Sequence, residues 1–184
     1  MTMPTFTDGT VPTAANLNAI ATGINNLGVL LTGVAATRQT IPTASAYINT
    51  THSIPNNADT LVTFDAATIN EDNLWVPSVG WHTVNTTGVY VVWAQVDWDY
   101  NATGIRAAHV LVNGTSIPTN SVAAIAVNTS AVAGIGTASI AVSPPLSLAS
   151  GVPVSLSVYQ NSGVALNIIP NESGTSLTLI RVGA

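Results

Sequence analysis

The chain has 184 residues, enough for one domain with a short appendage. Only 6% of them are charged, against about 25% in an ordinary soluble domain, and the only basic side chains besides histidine are Arg38, Arg106 and Arg181. That excludes a nucleic-acid-binding face and a polybasic membrane patch, which need clustered cations, while the absence of cysteine excludes a disulfide framework, a thiolate zinc site and a cysteine nucleophile.

The opening residues, MTMPTFTDGT, place no positive residue before an apolar run, so no secretory signal is expected. From Thr13, a plausible N-cap, apolar residues fall at Leu17, Ile20, Ile24, Leu27, Leu31 and Val34, in steps of 3, 4, 3, 4 and 3. That spacing is the seam of a short coiled coil. Gly23, Gly28 and Gly33 weaken it by roughly 1 kcal/mol each relative to alanine. Such a helix is marginal alone and should form against copies of itself or a larger assembly, although packing on its own domain is the alternative. Residues 1–40 therefore read as an oligomerising and anchoring segment.

Beyond Gln39 the period becomes two. Residues 88–100, GVYVVWAQVDWDY, put Tyr90, Val92, Ala94, Val96, Trp98 and Tyr100 on one face and Val89, Val91, Trp93, Gln95, Asp97 and Asp99 on the other. This is a long central strand whose far end emerges into solvent. IRAAHVLVN (105–113) is a second strand, closed by an Asn113-Gly114 hairpin signal. The weakly polar stretch 121–142 is broken by Asn128, Thr129, Ser130 and glycines, so it reads as strands and loops and not as a membrane span. VPVSLSVYQ (152–160), ALNII (165–169) and SLTLIRV (176–182) complete the series. Many short strands with frequent turns predict an all-β antiparallel sandwich or barrel over residues 41–184.

Within that region, TLVTFDAATINEDNLW (60–75), GVYVVWAQVDW (88–98), IRAAHVLVNG (105–114) and TSLTLIRVG (175–183) form an ordered set of phrases. Together they resemble the trimeric jelly roll shared by tumour-necrosis-factor ligands and the complement globular head. The resemblance implies a jelly-roll fold, a homotrimer, and a closing strand at the trimer axis. It lacks the usual Phe-rich axial core, since Phe64 is the only phenylalanine after residue 6. At the amino terminus, Phe6, Asp8, Gly9, Ala14, Leu17 and Asn18 form a phrase similar to the opening of many tailed-phage virion proteins. That implies a virion location, with other virion proteins as partners of residues 1–40. The expectation is a non-enzymatic surface protein of a phage particle, of the minor tail or fibre host-attachment type or a capsid decoration protein. A lectin-like carbohydrate-binding module not tied to a virion is the alternative.

Enzyme chemistry finds little support. With no lysine there is no P-loop or Schiff base, and His52, His82 and His109 show no metal-ligand spacing. His109 reads as a satisfied mid-strand histidine. Asp97 and Asp99 share a strand face about 7 Å apart, which overlaps the carboxylate spacing of inverting glycosidases, although a solvated strand end is the plainer account. Glu71, Asp72 and Asn73, with Asp97 and Asp99, could offer oxygen to calcium, but no loop has the ligand spacing. No catalytic residue, metal or cofactor is expected. Trp75 and Trp93 read as core. Trp81, Trp98 and Tyr100 are the candidate ligand-binding residues, because apolar sugar faces stack on aromatic rings and a host-surface glycan is a candidate partner.

Overall fold

The computed structural model describes residues 41–114, 121–129 and 136–184, together with residues 15, 18, 20–22 and 24. The chain divides into two compact units, Met1–Thr40 and Ile41–Ala184. In the first, the six described residues are helical, with Thr22 Oγ1 donating to Asn18 O at 2.9 Å. Ile20 is half-buried and Ile24 exposed. Leu17, Leu27, Leu31 and Val34 of the predicted seam lie outside the described residues.

The second unit is an all-β antiparallel jelly-roll sandwich. Its strands in chain order are β1 (Thr43–Tyr47), β2 (His52–Ile54), β3 (Thr60–Val62), β4 (Ala66–Asn70), β5 (Trp75–Val76), β6 (Trp81–Thr83) and β7 (Gly88–Trp98). There follow β8 (Ile105–Val112), β9 (Ser121–Thr129), β10 (Thr137–Val142), β11 (Leu146–Leu148), β12 (Pro153–Gln160), β13 (Leu166–Ile168) and β14 (Ser176–Gly183). One sheet runs β2-β13-β7-β14-β1-β4, with β10 and β11 also pairing along β7. The other runs β5-β6-β12-β8-β9, with β3 also on β12.

Alternation explains which side chains meet between the sheets. On β7 the even-numbered residues Tyr90, Val92, Ala94, Val96 and Trp98 are all buried. They face Val154, Leu156 and Val158 of β12 and Ala108 and Val110 of β8 across a single core, which Ala46, Leu177 and Leu179 extend. The indole Nε1 of Trp98 donates to Ser139 Oγ on β10 at 3.2 Å, which satisfies the polar atom of an otherwise apolar ring. Asn113 takes the left-handed conformation its turn signal implies, with φ 69°. The hairpin it opens is nevertheless wider than a two-residue turn, because Val112 pairs directly with Ser121.

Leu156 is fully buried and pairs with both Val110 and Val62. Leu156→Ala should therefore lower the free energy of unfolding by about 2–5 kcal/mol, read from urea denaturation.

Candidate functional site

The outer side of the β7 sheet is unusual. Trp93 is 49% exposed on it. Its register neighbours are Val142 on β10 and Thr178 on β14, and Thr178 in turn pairs with Ser45 and Ser45 with Ile69. The Ser45 and Thr178 hydroxyls share a hydrogen bond of 2.8 Å, so these small polar groups satisfy each other. One strand position along, Gln95 lies between Ile140 and Ser176, and Val91 pairs with Ile180. Ile69, Ile140, Val142 and Val182 are exposed. Asp97 is the one carboxylate on this side of β7, and Gln95 Nε2 donates to it at 3.2 Å. A second apolar strip, Val122, Ile125 and Val127, is exposed on β9 at the edge of the other sheet.

Trp93 was expected in the core and is not there. The same alternation that buries Trp98 turns Trp93 outward with Gln95 and Asp97. Trp98, conversely, is a candidate ligand residue that the structure removes: it is 0% exposed, so no sugar can stack on it. Trp75 is half-buried against the core, its Nε1 without a partner.

Trp81 and Tyr100 are not brought together. Trp81 is half-buried on β6, which pairs with the start of β12 at Pro153 and Val154. Tyr100, 46% exposed, follows β7 at the end where Arg106 pairs with Gln160, the last residue of β12. The length of β12, about 23 Å at 3.3 Å per residue, separates those two ends. Residue 41 enters the head at the Trp81 end, where Arg181 N donates to Pro42 O at 2.9 Å and Arg181 Nη2 to Thr87 O at 3.0 Å.

At the Tyr100 end the loops are joined by neutral side chains. Gln160 Nε2 donates to Ile54 O at 3.0 Å and Val164 O at 2.8 Å, while its Oε1 accepts from Ser162 N and Oγ, both at 2.7 Å. Asn56 Oδ1 accepts from Gly163 N at 2.8 Å, and Asn161 Oδ1 from Ile105 N at 2.6 Å. Arg106 is fully buried beneath them. Its guanidinium donates to Thr103 O at 2.5 Å, Gly104 O at 3.1 Å and Asn101 O at 2.7 Å, and burial lowers its pKa. The cation therefore serves as a hub for loop carbonyls.

Asp97 and Asp99 are held by different neutral amides, Asp97 by Gln95 and Asp99 by Asn167 Nδ2 at 2.9 Å. Among the described residues neither is hydrogen-bonded to a second carboxyl or a histidine. Glu71, Asp72 and Asn73 form a short turn in which Asp72 Oδ2 accepts from Thr86 Oγ1 at 2.7 Å. Among the described residues no group of three His, Asp or Glu side chains is placed to hold a metal ion. His109 sits mid-strand on β8, its Nδ1 3.8 Å from Asp59 Oδ1 and without a hydrogen bond. Burial lowers its pKa and Asp59 partly restores it.

No protein-family model and no curated protein sequence matches the chain. Its fold is nevertheless similar to solved structures. Murine APRIL at pH 5.0 superposes with a TM-score of 0.59 at 12% identity, over 78% of this chain and 100% of that one. The Eiger TNF of S. frugiperda gives 0.57 at 11% identity, over 79% and 94%. The globular domain of the zebrafish complement 1qA protein gives 0.53 at 13% identity, over 77% and 97%. The head thus has the jelly-roll fold of these proteins.

Gly104 shows how tightly the loops at the Tyr100 end are joined. Its φ is +74°, and a Cβ there would lie 2.4 Å from Asn161 O. Gly151 has a comparable φ of +89° but open space around it. Both alanine substitutions strain the backbone by about 1–3 kcal/mol, but only Gly104→Ala also adds a backbone clash. Thermal melts should therefore show the larger loss for Gly104→Ala.

Proposed function

We propose that the protein is a non-enzymatic surface protein of a phage virion, displayed as a homotrimer and held to the particle through residues 1–40. The observation that carries the trimer is Trp93, half-exposed at the centre of a nearly charge-free apolar face. A head alone in water leaves that face wet, whereas a second copy placed on it removes Trp93, Ile140 and Val142 from solvent together. Large aromatic side chains at such centres contribute most to association. The β9 strip is a separate patch on the same unit. Two different apolar patches per subunit favour a head-to-tail contact that closes into a ring. The likeness to the tumour-necrosis-factor and complement folds supports three copies.

The virion location is supported by the amino-terminal phrase at Phe6, Asp8, Gly9 and Ala14 and by the apolar seam Leu17, Ile20, Ile24, Leu27, Leu31 and Val34. Neutral loops and scarce charge suit a particle surface that meets varied salt. Either location, capsid decoration or a minor tail or fibre protein, is compatible with this design. The second reading, a lectin-like module for host-surface glycan, is favoured by Tyr100, exposed among asparagine-rich loops at the end away from residue 41.

The purified chain should run on a sizing column with light scattering at about 56 kDa, three times its 18.7 kDa mass. Trp93→Glu should release monomers, since three carboxylates would enter an apolar contact. A wild-type monomer would overturn the trimer and bring the lectin reading forward. Deleting residues 1–36 should abolish incorporation into particles, scored by immunolabelled microscopy, and particles that still carry the truncated protein would sink the anchoring role.

A further inference from the structure

We propose that His82 is an acid-sensitive fastener between the two sheets, holding the head closed as a neutral imidazole and loosening it when the surroundings acidify. This inference stands on the head alone and does not depend on the virion or trimer reading.

His82 lies on β6, at the margin of the six-stranded sheet, yet it is 0% exposed. Its Nε2 makes a hydrogen bond of 2.9 Å to Leu177 O on β14, in the opposite sheet. A carbonyl can only accept, so Nε2 carries the proton and Nδ1 is left a bare acceptor. Nδ1 has no partner. Protonation would place a second N–H at Nδ1 with nothing to receive it and would set a full charge between two apolar layers.

Among the described residues no opposite charge is placed against the ring to offset this cost. The strands that flank β6 are β5, which carries no titratable side chain, and β12, which carries only Tyr159 at its far end. On β14, Arg181 is four residues beyond Leu177, and a second cation would oppose protonation. The strands beside β14 carry Tyr90 and Asp97 on β7 and Tyr47 on β1. Burial lowers the ring's pKa from 6.5 to about 4, and the Leu177 carbonyl pulls the other way.

The sign follows from linkage. Between those two values the unfolded chain holds the proton and the folded head does not, so acid favours unfolding. The contribution of neutral His82 is complete above pH 6.5 and is lost as pH falls toward 4. The full separation corresponds to roughly 300-fold in the folding equilibrium, and lowering pH from 7.5 to 4.5 to roughly 70-fold. Leu177 pairs with Ala94 on β7 and Ala46 on β1, so the strand released is central to its sheet.

The test is urea unfolding of the full chain at pH 7.5, 6.0 and 4.5, at one protein concentration, for wild type and His82→Gln. Wild type should lose roughly 70-fold more of its folding equilibrium than the variant over that range, because carboxylate effects are common to both. Equal losses, or no loss in wild type, would overturn the proposal. If His82→Gln does not fold, NMR of the wild-type chain with 13C-labelled histidine decides, with the rings assigned through His52→Gln and His109→Gln. The His82 ring should stay neutral until it changes together with unfolding. A His82 ring that titrates near pH 6.5 while the core signals remain native would equally overturn it.

Discussion

The period-two alternation of one strand, Gly88–Trp98, governs the rest of the head. It is long enough to accept β14 along one edge and β10 followed by β11 along the other, so it fixes the register of the larger sheet. Its inward row is buried from Tyr90 to Trp98. A slip of one residue would exchange those rows and send Trp98 to solvent and Asp97 to the core. The two costs together make the register steep, and the same register turns Trp93 outward. The apolar outer face is thus a consequence of how the core is specified, and it is also the feature that asks for a partner.

Scarcity of charge shapes how the loops are built. Exposed ion pairs contribute little to holding surface loops. Here Gln160, Asn56, Asn161 and buried Arg106 tie loop carbonyls and amides directly, and the only ion-pair contact among the described residues is His109 with Asp59 at 3.8 Å. Hydrogen bonds of this kind are nearly indifferent to ionic strength, because no screened charge pair is involved. They depend instead on backbone fit, which is why Gly104 must approach Asn161 so closely.

The strands over 88–98, 105–112, 153–160 and 176–183 were legible because alternation survives in their sequences, and the order of those phrases was enough to suggest the jelly roll. The four tryptophans were less so. Treating them by residue type puts Trp93 in the core and Trp98 among the candidate ligand residues, although alternation along β7 already sets the two on opposite faces. The aromatic prior competed with the periodic signal, and the periodic signal was the physical one. The wide hairpin after Asn113 was illegible for a different reason, since the Asn-Gly pair fixes a local left-handed turn but not the distance to the next paired residue. His82 was also hidden: β6 has three residues, too short to show a period, and whether its ring faces the core is decided by β12 and β14.

A chain with few ionisable groups is often read as insensitive to pH, and for exposed groups that holds. The inference reverses for buried ones. Where dozens of surface carboxylates and amines titrate, a single buried group is one contribution among many of both signs. Here eight acids, three arginines and three histidines make up the whole set of charged and histidine side chains. Of the described histidines, only His82 lies wholly in the core. Fewer surface charges therefore leave fewer competing titrations, so the contact that joins the two sheets carries a larger share of the head's response to acid.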